Sequence, residues 1–203
     1  MENELVKYIS KYMELPVELK LVVVESTVIR HHKKGEILLT ADQVSKESFL
    51  VLKGCLRDYI MQDGEEKTID FYTEEQPVTI INYGKNIPSG HYLECVEDTT
   101  VSVGTPEHEA EMLKKHPQFD SVCRIISEVM MSNLQTHFAD YKMMSSEERY
   151  LDFIKNRPEL VQKVPQYQIA SYLGMTPESL SRLRKRLSKK TAWESISYPK
   201  STS

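Results

Sequence analysis

The sequence predicts an α+β chain in three parts: an N-terminal antiparallel double-stranded β-helix (jelly roll), a long central dimerisation helix and a C-terminal helix-turn-helix domain. Three observations support this. Seven or eight short runs rich in β-forming residues lie between turn residues in the first half of the chain. A single amphipathic stretch of about 25 residues follows. Two short amphipathic segments then flank Gly174. We therefore expect domains at residues 1–115, 116–144 and 145–203.

The N-terminal part has helical periodicity over residues 2–13 and 16–24, and the period then shortens. Short runs such as SFLVLKG, CLRDYIMQ and TTVSVGT are separated by turn residues. Asp63-Gly64 is a strong signal for a tight hairpin between CLRDYIMQ and a strand that begins near Glu66. Strands at this spacing indicate a closed or sandwiched antiparallel structure, such as a jelly roll.

The central part begins after Pro106, where EHEAEMLKKH predicts a short helix, and Pro117 opens a long helix that extends to about Met144. A helix of this length spans about 37 Å, more than one β-domain can cover. We therefore expect a homodimer along its apolar stripe. The alternative is that the stripe packs wholly on its own β-roll. The stripe consists of Ile126, Met130, Leu134, Phe138 and Tyr141.

The C-terminal part opens with a capping-box pattern, Ser145-x-x-Glu148, so residues 143–146 are expected to form a hinge. In QYQIASYLGMTPESLSRLRKRL, Gly174 allows a sharp helix exit and Thr176 can cap the next helix. Leu180, Leu183 and Leu187 then form one apolar stripe. This pattern is typical of a helix-turn-helix, whose second helix enters the DNA major groove. The alternative is a helical hairpin with a solvated charged face.

Charge is distributed unevenly along the chain. Residues 1–144 carry a net charge of −9, whereas residues 145–203 carry +5, within an overall charge of −4. Only the C-terminal part therefore suits a polyanion. The tail TAWESISYPKSTS lacks a clear helical pattern.

The order of these parts resembles that of the Crp/Fnr family of bacterial transcription regulators. KGEIL at residues 34–38, FLVLKGCLR at 49–57 and DGEE at 63–66 resemble β-roll motifs of that family. SSEERY at 145–150 resembles the start of its DNA domain, and the helix-turn-helix segment matches best. The resemblance implies a cyclic-nucleotide-binding-like β-roll and a homodimeric, sequence-specific regulator. It also implies double-stranded DNA and RNA polymerase as partners.

The resemblance also implies which residues contact DNA. Glu178 and Arg182 occupy positions from which family members reach base edges. Ser179 occupies a position that contacts phosphate. Pro177 departs from the family, which frequently has a basic residue at this position. Independently, arginine can pair with guanine and a carboxylate with cytosine. A plain helix-dipole role for Glu178 is an equal alternative. The candidate DNA-binding residues are Thr176, Glu178, Ser179, Arg182 and Arg186.

Cyclic-nucleotide-binding members of the family use a Gly-Glu pair and an Arg-Ser or Arg-Thr pair. The corresponding stretch here, residues 77–95, contains no arginine and has no glycine–glutamate pair before Tyr83. Lys85 and His91 do not reproduce a bidentate grip on phosphate. We therefore expect no response to cAMP. The β-roll either binds an unidentified small-molecule effector or serves only as a dimer scaffold. The candidate effector pocket comprises Tyr83, Lys85, Ser89 and His91.

Other chemistries find little support. Cys55, Cys95 and Cys123 are scattered, and His31 and His32 point to opposite faces of a strand, so we expect no metal and no cofactor. The chain has neither enzyme motifs nor a signal or membrane segment, so we expect a cytoplasmic non-enzyme without a membrane partner. The alternative function is a ligand-binding or protein-interaction module with a vestigial DNA-binding domain.

Overall fold

The structure is a computed structural model that describes residues 3–197, with side chains described for residues 3–189. The chain forms two compact units that divide between Lys142 and Met143. This boundary adjoins residues 143–146, where the sequence predicts a hinge. Among the helices of the described part, none is both long and apolar enough to cross a membrane.

The first unit contains two N-terminal helices, eight strands and two further helices. The helices are α1 (Glu4–Ser10), α2 (Val17–Ser26), α3 (Pro106–Lys115) and α4 (Phe119–Met143). The strands are β1 (Val28–His32), β2 (Ile37–Leu39), β3 (Ser48–Lys53), β4 (Leu56–Gln62), β5 (Glu65–Tyr72), β6 (Pro77–Val78), β7 (Tyr92–Cys95) and β8 (Thr99–Gly104).

The strands form two four-stranded antiparallel sheets, in the orders β1-β8-β3-β6 and β2-β7-β4-β5. The alternating side chains of both sheets meet in one apolar core, because alternate residues of a strand face the same side. The predicted α+β architecture with an antiparallel β-roll is confirmed. The core comprises Leu39, Phe49, Val51, Leu56, Val78, Ile80, Leu93, Cys95, Val101 and Val103.

The predicted hairpin at Asp63-Gly64 is confirmed. Gln62 pairs with Glu65 across the turn between β4 and β5. Both turn residues have a positive φ, 54° for Asp63 and 78° for Gly64. This is the combination that a two-residue turn requires if it is to match the twist of its strands.

The long helix α4 divides its apolar stripe between two environments. Ile126 packs against a second apolar cluster formed by α1, α2 and the start of α4. The Tyr8 hydroxyl donates to the Met130 sulfur atom at 3.9 Å. Further along, 63% of Leu134 and 61% of Phe138 are exposed in the single chain. The first part of the stripe therefore contacts its own unit. Leu134 and Phe138 are mostly exposed, and Tyr141 at the end of the stripe is partly buried.

The second unit consists of four helices, α5 (Ser146–Asn156), α6 (Pro158–Lys163), α7 (Gln166–Tyr172) and α8 (Pro177–Ser197). Both halves of the predicted capping box at Ser145 and Glu148 are present. The helices bury one set of apolar side chains, Tyr150, Phe153, Leu160, Val164, Ile169, Ala170, Leu173, Leu180 and Leu183.

The C-terminal segment differs from the sequence-based expectation that it has no clear helical structure. Residues 191–197 continue α8, although their sequence lacks a clear helical pattern. Extending an existing helix adds one hydrogen bond per residue, and no glycine or proline interrupts this segment before Pro199. Residues 198–203 and the side chain of Trp193 lie outside the described part of the chain.

Gly54, between β3 and β4, should tolerate no side chain. Its φ is +99°, and a Cβ atom there would lie 2.7 Å from the Asp98 carbonyl oxygen. Gly54→Ala should lower the free energy of unfolding by about 1–2 kcal/mol for the left-handed backbone and by about 1–3 kcal/mol more for overpacking. Gly35→Ala is the control, because φ is +81° there with no atom within 4 Å. Equal losses for both variants in denaturant unfolding would contradict the packing argument.

Candidate nucleic-acid interface

The turn between α7 and α8 is closed by backbone hydrogen bonds. The Gly174 amide donates to the Ser171 carbonyl at 3.0 Å, and the Met175 amide donates to the Ala170 carbonyl at 2.8 Å. Gly174 has a φ of 67°. Together these form a Schellman motif, in which a left-handed residue ends a helix and satisfies its last carbonyl groups. The turn thus fixes where α8 starts.

Thr176 caps α8 as the sequence predicts. Its hydroxyl oxygen accepts a hydrogen bond from the Ser179 amide at 3.2 Å, and the hydroxyl donates to the Ser179 side chain at 3.1 Å. Such a cap satisfies a donor that the first turn of a helix leaves unpaired. Thr176 and Ser179 therefore hold each other at the start of α8.

The two faces of α8 differ in burial. Leu180 is 1% exposed and Leu183 is 6% exposed, and Leu187 is partly buried. The basic side chains and Glu178 lie on the solvent-exposed surface of the helix. Glu178 and Arg182 are four residues apart and so share one side of the helix. The exposed charged residues are Glu178, Arg182, Arg184, Lys185, Arg186 and Lys189.

Arg186 differs from Arg182 in having an acidic partner. Its guanidinium group forms an ion pair with the Glu147 carboxylate at the start of α5, although 66% of the side chain is exposed. The ion pair ties α8 to α5 within the second unit. No ion pair is described for Arg182, so of these two candidates it is the one left free for an external partner.

One exposed residue of the helix-turn-helix, Tyr167, was not among the candidates that the sequence predicts. Tyr167 in α7 is 54% exposed, and its hydroxyl accepts a hydrogen bond from the Gln168 amide nitrogen at 3.3 Å. Gln168 is buried, and its side-chain oxygen has no partner in the part of the chain described with side chains. The only sequence signal for Tyr167 is an aromatic residue two positions before the inward-facing Ile169.

The candidate effector residues all lie in the connection between β6 and β7. The Tyr83 hydroxyl donates to Glu109 at 2.8 Å, and Lys85 is exposed. The buried Ser89 hydroxyl donates to the His91 carbonyl at 3.0 Å. None of the four residues lines either of the cavities described in the first unit, of about 440 Å³ and 540 Å³.

His91 and Asp58 form a polar pair on the inner side of the β-roll. The His91 Nδ1 atom lies 2.8 Å from a carboxylate oxygen of Asp58, which is nearly buried. Burial raises the pKa of the Asp58 carboxyl, and the hydrogen bond with His91 opposes that rise. The pair thus stabilises the β4–β7 region internally.

The potential metal-binding residues are placed apart. Within the described residues, no group of three or more His, Cys, Asp or Glu side chains is arranged to hold a metal ion. Cys55 and Cys95 are buried and form no disulfide among the described residues, and burial raises the pKa of Cys95 to about 11. His31 contacts Thr100, and His32 contacts Glu36.

The β-roll, the long helix and the C-terminal helix-turn-helix together define the fold of the Crp/Fnr regulators. No protein-family model matches the chain, and no curated protein matches its sequence. Solved structures that share the fold do so at low sequence identity, and those described below are between 12% and 19% identical to this chain.

FixK2 from Bradyrhizobium japonicum is 19% identical, with a TM-score of 0.64 over 81% of this chain and 86% of that one. CLP from Xanthomonas campestris, described as a c-di-GMP-responsive global regulator, is 12% identical, with a TM-score of 0.65 over 84% and 93%. A CooA mutant from Carboxydothermus hydrogenoformans is 19% identical, with a TM-score of 0.59 over 83% and 79%. The chain is similar to these regulators in fold.

Proposed function

We propose that this protein is a sequence-specific DNA-binding transcription regulator of the Crp/Fnr type. The observation that carries the proposal is the two-sided burial of α8, with its leucines hidden and Arg182 exposed beside Glu178. Arginine can donate two parallel hydrogen bonds to guanine, and a carboxylate can accept from cytosine. In this proposal Thr176 and Ser179, at the start of α8, and the exposed Tyr167, at the start of α7, contact phosphates. Phosphate contacts position a protein on DNA.

The active form in this proposal is a homodimer along α4. Leu134 and Phe138 support it, because two large apolar side chains one helical turn apart are mostly exposed in the single chain. A two-fold-related pair of recognition helices would read two half-sites about 34 Å apart. RNA polymerase is the further protein partner in this proposal.

The proposal includes no response to cAMP. The β6–β7 connection contains no arginine, and Lys85 is its one lysine. Ser89 and His91 use their polar groups within the protein, on Thr40 and Asp58 among others. A cyclic phosphate would therefore find a single exposed ammonium group where a bidentate grip is needed.

Fluorescence anisotropy on a palindromic site selected from random duplexes tests the proposal. We expect specific binding at least about a thousandfold tighter than binding to unrelated DNA. The affinity should fall steeply with salt, because Lys and Arg displace counterions. Addition of cAMP should leave the affinity unchanged. Ligand-dependent stabilisation of the protein without salt-sensitive DNA affinity would favour the vestigial module instead.

A further inference from the structure

An open groove of about 540 Å³ lies in the first unit, and none of the four candidate effector residues lines it, although Tyr83 hydrogen-bonds to Glu109 in its wall. It runs between β3 and β8 on one side and α1, α3 and the start of α4 on the other. Its walls are mainly apolar, with Ile9, Leu50 and Val122 among them. Small-molecule sites typically have volumes of about 300–1,000 Å³ and few polar groups. The groove has the size and composition of such a site.

Several polar side chains interrupt the apolar wall, and two of them, Ser102 and Glu109, lie near one end of β8. Ser102 is 6% exposed, lines the groove, and has no hydrogen-bond partner for its hydroxyl among residues 3–189. A hydroxyl that opens onto a groove can donate a hydrogen bond to a ligand or water there and accept one from it. Ser102 therefore offers an unused polar contact to whatever occupies the groove.

Glu109 is another polar residue of the groove, near Gly104. One oxygen of its carboxylate accepts from the Tyr83 hydroxyl at 2.8 Å and from the Ser48 hydroxyl at 3.0 Å. A Cβ atom on Gly104 would lie 2.6 Å from the Ser48 oxygen, so the glycine leaves this corner open to the carboxylate. Gly104 and Ser102 are alternate residues of β8, about 7 Å apart on one face.

We infer that this groove binds a compact, largely apolar molecule that carries one N–H or O–H donor. The carboxylate of Glu109 is an acceptor only, and it disfavours an anionic ligand. The apolar walls accommodate an aromatic or aliphatic body, and Ser102 can complete the polar contacts. Charge and hydrogen-bonding complementarity thus select neutral donors over fatty acids or nucleotides.

The groove also bears on regulation. Val122, Cys123 and Ile126 of α4 line it, so a bound molecule contacts the start of the proposed dimerisation helix. An effect of the ligand on DNA affinity rests on the proposed function, whereas ligand binding itself does not.

Titration of the full chain with N-phenyl-1-naphthylamine, a neutral fluorescent probe with one N–H group, tests the site. We expect a saturable increase in fluorescence with one probe per chain. Ser127 lines the groove and is exposed, so Ser127→Trp should fill it and weaken binding at least about tenfold without unfolding the protein. Ser121→Trp is the control, because Ser121 is an exposed α4 residue outside the groove. Unsaturable binding, or equal binding by both variants, would overturn the site.

Competition defines the ligand class. Indole should displace the probe about five- to tenfold better than indene, which has the same shape and no N–H group, because one hydrogen bond is gained. Glu109→Ala, which removes the proposed acceptor, should reduce that difference. Equal displacement by indole and indene would overturn the donor requirement.

DNA affinity in the presence of indole separates this inference from the proposed function. A shift in affinity of about fivefold or more would support an effector role. If the protein binds the probe and binds DNA with the same affinity with and without indole, only the effector role is overturned. Probe binding without any DNA affinity would overturn the proposed function and leave the ligand site standing.

Discussion

Replacement of Arg182 by alanine should abolish recognition of the selected operator while leaving the fold intact. Each good pair between arginine and guanine contributes about 1–3 kcal/mol of discrimination, and a dimer loses two. The operator affinity should therefore fall between about 30-fold and 20,000-fold. Fluorescence anisotropy measures the loss, and thermal unfolding should show little change, because the Arg182 side chain is exposed.

Arg184→Ala is the matched control. It removes the same charge from the same helix, but two residues of helix place it about 160° around the axis from Arg182. Its loss should be small and equal on operator and unrelated DNA, as expected for a distant charge or a phosphate contact. Equal, sequence-independent losses for Arg182→Ala and Arg184→Ala would contradict base readout by Arg182.

Arg186 needs a separate test because it pairs with Glu147. Arg186→Ala removes both an ion pair within the protein and any phosphate contact. Glu147→Ala removes only the ion pair, so the difference in DNA affinity between the two variants isolates the contact with DNA. Exposed ion pairs stabilise by about 1 kcal/mol or less, so both variants should remain folded.

Much of the fold followed from local signals in the sequence. Asp63-Gly64, Gly174 with Thr176, and the capping box at Ser145 each specify a turn or helix end by local backbone chemistry, and the structure contains all of them. Strand order was beyond reach, because the pairing of β1 with β8 joins residues some 70 positions apart. Such pairs depend on the whole core rather than on neighbouring residues.

The candidate site was predictable in part, for similar reasons. Helical periodicity alone separates the buried Leu180 from the exposed Arg182. Periodicity cannot reveal that Arg186 meets Glu147 on another helix, or that Ser102 and Glu109 border one groove. It also gave no sign that Ile126 and Met130 contact their own unit before the stripe becomes exposed. These features arise from packing between distant segments.

Two acidic substitutions in the exposed part of the α4 stripe should convert the dimer to a monomer. In Leu134→Glu/Phe138→Glu, carboxylates on both chains would meet at the two-fold axis, where burial of unpaired charge is strongly unfavourable. Analytical ultracentrifugation should give a dimer for the wild-type protein and a monomer of 23.6 kDa for the variant. Because linked binding modules gain about a hundredfold or more in avidity, affinity for the palindrome should fall by at least about that factor.

The half-site separates loss of dimerisation from damage to the DNA-binding unit. Leu134 and Phe138 lie in the first compact unit, so the substitutions should leave the DNA-binding unit intact. The variant should therefore bind a duplex with a single half-site as weakly as the wild-type protein binds that duplex. Ser132→Glu/Thr136→Glu is the matched control, because it places two carboxylates at the same spacing on the opposite side of α4, where both residues are exposed. That variant should remain a dimer with full affinity for the palindrome. A monomeric control variant, or a dimeric Leu134→Glu/Phe138→Glu variant, would mean that another surface holds the two chains together.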